Sequence, residues 1–166
     1  MQRLTKEHRT KIVRAAKDWL GTPYHHHARV KHAGADCAMF PLAVYQECGV
    51  LPLDFQPPEY SVQWHLHRSE ELYLNEIEKF TVEIDAIPQP GDFVVFRFGR
   101  TYSHGAIVVE WPIVIHSYIP HGVLLSDALR DGELLGRERK CFEVRPMAAM
   151  EMSGRSSSGS LLAITN

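Results

Sequence analysis

The sequence predicts an α+β fold, with N-terminal helices packed on an antiparallel sheet of about five strands. Two observations predict it. Apolar residues at helical spacing are confined to the first half of the chain, and β-branched or aromatic runs separated by turn residues follow Phe80. At 166 residues and 45% hydrophobic, the chain fits one domain with a real core.

Taken in order, Ile12, Val13, Ala16, Trp19 and Leu20 recur at helical spacing and stop at Gly21 and Pro23. They predict an amphipathic helix over about residues 5–20. Residues 21–36, rich in Gly, Pro and His, are expected to form a loop. A second apolar run, CAMFPLAVYQECG, follows Asp36, a plausible N-cap, and stops at Gly49, a natural C-terminal cap. Pro41 lacks an N–H and is expected to bend the first turns of this helix. Pro52, Pro57 and Pro58 make residues 50–60 an irregular linker. Residues 61–78 are helix-like, with Trp64, Leu66, Leu72 and Leu74 as buried positions. The runs TVEI, FVVFRF, GAIVVE, IVIHSY and GVLLS then predict an antiparallel meander, with a final strand over 140–145. The domain is expected to cover 1–148, and GRSSSGS marks 149–166 as a flexible tail.

Net charge is -2 with no basic run, which gives no support to nucleic-acid binding. Ten His residues would turn the chain cationic on acidification. Three cysteines without CxxC spacing argue against a disulfide framework. No run of 18 apolar residues exists, so no membrane span is expected. The first 20 residues are charged throughout, unlike a secretory signal, so a cytosolic site of synthesis is expected. The run HHHARVKH (25–32) is dense in imidazole, but adjacent His residues cannot converge on one ion. No HExxH or CxxC accompanies them, so no metal and no cofactor is expected.

Cys37 stands where a Gly-containing loop enters a helix. Free N–H groups and the positive end of the helix dipole favour a thiolate there, and the same groups could hold an oxyanion. A lone Cys is more often a packing residue, and Cys48 and Cys141 have only that reading. His104 and His116 are centred on Glu110. If GAIVVE and IVIHSY pair through the Glu110-Trp111-Pro112 turn, the two fall opposite each other, with Cβ atoms about 4.5–5.5 Å apart. One imidazole would then act as base and the other fix its tautomer. Two idle strand histidines are the alternative.

Six short motifs in order resemble the NlpC-type family of papain-like cell-wall peptidases. They are Trp19-Leu20-Gly21-Thr22-Pro23-Tyr24, Gly34-Ala35-Asp36-Cys37, Val44-Tyr45 with Gly49, Pro90-Gly91-Asp92 with Phe96, Ser103-His104 with Ile107-Val108, and Ile115-His116-Ser117. The resemblance implies a papain-like fold and a cysteine endopeptidase of peptidoglycan stem peptides, acting beside D-glutamate and a diamino acid. It implies Cys37 as nucleophile, His104 as base and His116 as third residue, with Tyr24, Asp36 and Ser103 binding substrate. The short chain and the Thr-Pro-Tyr-His-His segment most resemble versions encoded with phage tails and gene-transfer particles. That implies tail-type protein partners and delivery to the wall as part of a larger particle. A papain-like amidase or acyltransferase, and a non-catalytic tail-tip component, are the competing readings. The segment bearing Trp64, His65 and Arg68 is either a lip of the cleft or a surface helix.

Overall fold

A computed structural model of the protein describes residues 2–60 and 71–147. Helix α1 (Lys6–Asp18) opens on a capping box, in which Thr5 accepts from the His8 N–H at 3.2 Å and donates its own N–H to His8 Nδ1 at 3.2 Å. It buries Ile12 and Ala16, as the spacing predicts, and also Ala15, whereas Val13 is only half-buried. Where a loop was expected, a minimal hairpin forms from β1 (Arg29–Val30) and β2 (Gly34–Ala35). Strands of two residues carry no periodicity, so the sequence pattern could not reveal them.

Helix α2 (Met39–Glu47) is buried on nearly every side. Its bonding begins earlier than its assigned start, because the Phe40 N–H donates to the Asp36 carbonyl at 3.1 Å. Pro41 cannot bond the Cys37 carbonyl in the same way, which accounts for the turn-like character of Cys37 and Ala38. The helix ends in a Schellman motif. Gly49, at φ 73°, donates to Gln46, and Val50 donates to Tyr45 at 2.9 Å. Helix α3 (Leu72–Ile77) lies within the predicted 61–78 helix but starts only after Glu71; it buries Leu74 as predicted, with Tyr73 and Ile77, while Leu72 is half-buried. Trp64, Leu66, the proposed lip and the 149–166 tail lie outside the described residues.

Six strands follow: β3 (Thr81–Ile84), β4 (Phe93–Phe98), β5 (Thr101–Glu110), β6 (Ile113–Tyr118), β7 (Gly122–Asp127) and β8 (Arg139–Val144). All pairings are antiparallel, in the order β3-β8-β4-β5-β6-β7. This corrects the simple meander, because the last strand inserts between β3 and β4. Its Phe142 and Val144 are fully buried, as a strand with two neighbours requires.

The sheet is covered on both faces. Phe93, Val95, Ile107, Ile115 and Phe142 pack with Ile12, Phe40 and Tyr45 of the helices. Val94, Phe96, Ala106, Val108 and Val114 pack with Ala128 and Leu134 of the turn after β7. This two-sided burial explains why FVVF is a continuous apolar run instead of an alternating one. Arg9 fastens α1 to the turn before β4 by donating to Asp92 Oδ1 at 2.8 Å and to the Pro90 carbonyl at 2.9 Å. Among the described residues, no helix is long and apolar enough to cross a membrane.

The loop after α1 rests on the start of β7. Val123 donates to the Thr22 carbonyl at 2.8 Å, and Gly21 donates to the Val123 carbonyl at 2.9 Å. Gly122, at φ 75°, permits this approach, since an added Cβ would meet the Thr22 carbonyl and Pro23 Cα. Both obstacles are backbone atoms. Gly122→Ala is therefore expected to destabilise the fold by about 3 kcal/mol, combining left-handed strain with overpacking. Urea unfolding with an unchanged m-value would register it; a loss below about 1 kcal/mol would mean the loop does not depend on this contact.

Candidate active site

Asp36 organises the surroundings of Cys37. Its Oδ1 accepts from the Ala38 N–H at 3.1 Å and the Met39 N–H at 2.8 Å, so it caps α2 as its position predicts. Its Oδ2 accepts from the His27 N–H at 2.8 Å and from the Tyr60 hydroxyl at 2.7 Å. The side chain is buried, and these four donors occupy its lone pairs. Its carboxylate therefore serves the protein directly, and contact with a substrate would be made through the groups it holds.

Tyr60 is a member of this site that the sequence did not reveal, because it lies at the end of a Pro-rich linker with no pattern around it. Burial and the neighbouring Asp36 carboxylate push its phenol well up, so it stays a donor. Its ring packs against His26 and His27 at centroid distances of 5.5 and 4.1 Å. His27 Nε2 donates to the Tyr60 carbonyl at 2.7 Å. The imidazole-rich run thus builds one wall beside Asp36. The described residues hold no group of three or more His, Cys, Asp or Glu suited to a metal ion.

Tyr24 is brought to the same place by a parallel bridge to Ala35, with the Ala35 N–H donating to Pro23 at 3.0 Å. Its phenol is pushed up by burial and then by its proximity to Cys37 and Asp36. Cys37 is partly exposed, and its thiol donates to the Ser103 carbonyl at 3.8 Å. Burial is the larger influence on this thiol and raises its pKa. The Asp36 carboxylate raises it further, and the backbone N–H of Cys37 itself opposes both. The helix start thus acts against two influences, burial and the Asp36 carboxylate, that favour the thiol.

Ser103 is a bulge residue. Phe96 faces His104 and Arg97 faces Tyr102, so Ser103 has no opposite number on β4. Its hydroxyl is buried without a hydrogen-bond partner among the described residues. The next residue, His104, is buried, and its Nε2 lies 2.7 Å from Nδ1 of His116. The predicted imidazole pair is present, although the register differs from the one expected. Ile107 pairs with Ile115 and Val108 with Val114, with a bulge before Glu110. Continued along the strands, that register sets His104 opposite Tyr118, two residues from the expected partner. A two-residue offset keeps the same face, so the rings still meet as diagonal neighbours.

The pair is walled by aromatic rings. Phe98 lies 4.6 Å and Tyr118 5.7 Å from His104, centroid to centroid. His116 is almost fully enclosed, and its Nε2 lies 2.8 Å from Ser126 Oγ on β7. Burial pushes the His116 pKa down from 6.5 to about 4, with Asp131 opposing weakly. The site therefore holds a thiol at a helix start, a strand bulge and a buried imidazole pair with one neutral ring. Those are the parts of a nucleophile–base–orienter arrangement.

The shift of His116 ties folding to pH. Between pH 6.5 and about 4 the unfolded imidazole binds a proton that the folded one refuses, so stability falls as pH falls through that window. The full loss amounts to about 3 kcal/mol. His116→Gln is expected to lack this component. Comparing urea unfolding at pH 7 and pH 4.5 for both proteins checks it, and equal pH dependence would contradict the assignment.

A scan against protein-family models and a search of curated proteins find no match to this chain. Solved structures do match. The NlpC/p60 domain of the peptidoglycan hydrolase SagA aligns with a TM-score of 0.51 at 17% identity, covering 80% of this chain and 96% of that one. NlpC1 from Trichomonas vaginalis aligns at 0.58 and 16% identity, over 88% of this chain and 46% of its own. A lipoprotein-like NLP/P60 family protein from Staphylococcus aureus aligns at 0.57 and 20% identity, over 87% of this chain and 43% of its own. The chain thus spans nearly all of the first and less than half of the other two. Helices on an antiparallel sheet, in this order and with this match to solved domains, give the chain the NlpC/p60 fold.

Proposed function

We propose that the chain is a cysteine peptidase that hydrolyses amide bonds in peptidoglycan stem peptides, next to D-glutamate or a diamino acid. The observation that carries this reading is the buried His104–His116 hydrogen bond, one residue along from the carbonyl that holds the Cys37 thiol. The likeness to the domain of a peptidoglycan hydrolase supports the substrate class. Delivery to the wall with phage tail-type proteins belongs to the same reading and rests on the sequence motifs.

Burial and the Asp36 carboxylate favour the thiol over the thiolate, so a base is needed to take its proton. Nε2 of His104 is engaged by His116, which leaves Nδ1 as the basic nitrogen. His104 takes the proton as sulfur attacks the scissile carbonyl, and His116 holds the imidazolium that forms. The Ala38 and Met39 N–H groups are bound to Asp36, so the Cys37 N–H is the helix-start donor for the oxyanion. His104 then protonates the leaving amine, and a water deprotonated by the same ring releases the acyl group. Tyr24 and Ser103 are the substrate-binding residues of this reading. Asp36 acts beneath them by fixing Tyr60 and the helix start.

Digestion of purified sacculi with mass analysis of the fragments tests the reading. Wild type is expected to release stem fragments, and Cys37→Ala to lower the rate by at least about a thousandfold while keeping the fold. Products carrying a transferred acyl group would favour an acyltransferase, and intact sacculi a structural domain. A second measurement concerns the thiol alone. Alkylation by iodoacetamide is expected to rise only above the ordinary Cys range, near pH 8.5. Asp36→Asn should move the profile to lower pH, because it removes the repelling charge and keeps an oxygen for the cap. A reactivity plateau near pH 6 would instead reveal a resting ion pair.

A further inference from the structure

We propose that Ser126 is a positioning residue that fixes the proton arrangement of the histidine pair, so that His104 offers Nδ1 to the nucleophile. The role given to His104 rests on the peptidase reading; the proton arrangement itself does not.

The argument starts from what surrounds His116. His104 faces it from β5, Tyr118 from its own strand, Ser126 from β7 and Asp131 from the turn beyond. Its two ring nitrogens meet two partners, His104 Nε2 at 2.7 Å and Ser126 Oγ at 2.8 Å. Ser126 is placed there by register. It pairs with Val114 while His116 pairs with Leu124, so serine and histidine are diagonal neighbours on one face. Ser126 is buried, so water cannot readily stand in for its hydroxyl.

Burial keeps His116 neutral, and a neutral imidazole has one donor and one acceptor. Two arrangements are therefore open. In the first, Ser126 donates to Nε2 of His116, whose Nδ1–H donates to Nε2 of His104. The proton of His104 then sits on Nδ1, and that nitrogen has no lone pair for a thiol proton. In the second, Nε2–H of His116 donates to Ser126, and Nδ1 of His116 accepts from Nε2–H of His104. Nδ1 of His104 is then basic.

Only the second arrangement survives the reaction. Once His104 is protonated, both its nitrogens donate, and its partner must accept. His116 can accept on Nδ1 only if its own proton is on Nε2, and that proton needs a buried acceptor. The Ser126 hydroxyl fills this role. Without it the buried Nε2–H is left unsatisfied, which favours the opposite tautomer or a rotated ring.

The test uses the intact chain and ¹⁵N NMR of the ring nitrogens, together with kinetics on stem peptides. In wild type, His116 is expected to carry its proton on Nε2. Ser126→Ala should shift the proton toward Nδ1, lower kcat about tenfold with little change in KM, and lower the base pKa in the kcat/KM profile by about one pH unit. Ser126→Thr, which keeps the hydroxyl, should restore both readouts. A residue that merely supports the strand would change stability and leave the profile in place. His116 protonated on Nδ1 in wild type overturns the proposal, as does an unaltered pH profile in Ser126→Ala. A wild type that cleaves no peptide yet carries the proton on Nε2 overturns the peptidase reading and supports the assignment of Ser126.

Discussion

The buried carboxylate of Asp36 is the constraint on which the site depends. A carboxylate out of contact with water is costly unless its lone pairs are met. Here four donors meet them, from three separate stretches of chain: the start of α2, the His-rich loop and the end of the linker at Tyr60. The same bonds set the position of Cys37 and close one side of the cleft. They also place a negative charge beside the thiol, which opposes its ionisation. The residue that holds the start of α2 therefore also works against ionisation of Cys37.

The imidazole pair belongs to the sheet. Strands are stiff carriers of side chains, and a site built on them is more precise than one built on loops. β5 and β6 present the two imidazoles on one face, and β7 supplies the serine behind them. Hydrogen bonds, aromatic walls and low exposure leave His116 little freedom. Cys37 comes from a helix start and the imidazoles from the sheet, and the Ser103 carbonyl at the bulge accepts from the thiol.

Much of this was legible in the sequence, for identifiable reasons. Each of the predicted strands exists, because β-branched runs bounded by Gly and Pro leave few alternatives. The cap at Asp36 and the stop at Gly49 were local signals, and local chemistry decided them. The histidine pair survived an error in register because side chains alternate with a period of two. Tyr60, Ser126 and the β1–β2 hairpin were not legible. Tyr60 and Ser126 owe their roles to partners 24 and 10 residues away, and no periodicity links such positions. The helix-start argument for a thiolate weighed the dipole and omitted both burial and the adjacent carboxylate, which act against it.

The insertion of β8 between β3 and β4 bears on when the protein becomes itself during synthesis. Cys37, His104 and His116 are all synthesised before residues 139–144. Until then β3 lacks its one neighbour in the described sheet, and β4 lacks one of its two. Long-range pairing of this kind is slow and cannot be completed piecemeal. The nascent chain thus carries Cys37 and both histidines while the sheet still lacks an inner strand, and β8 completes the described sheet.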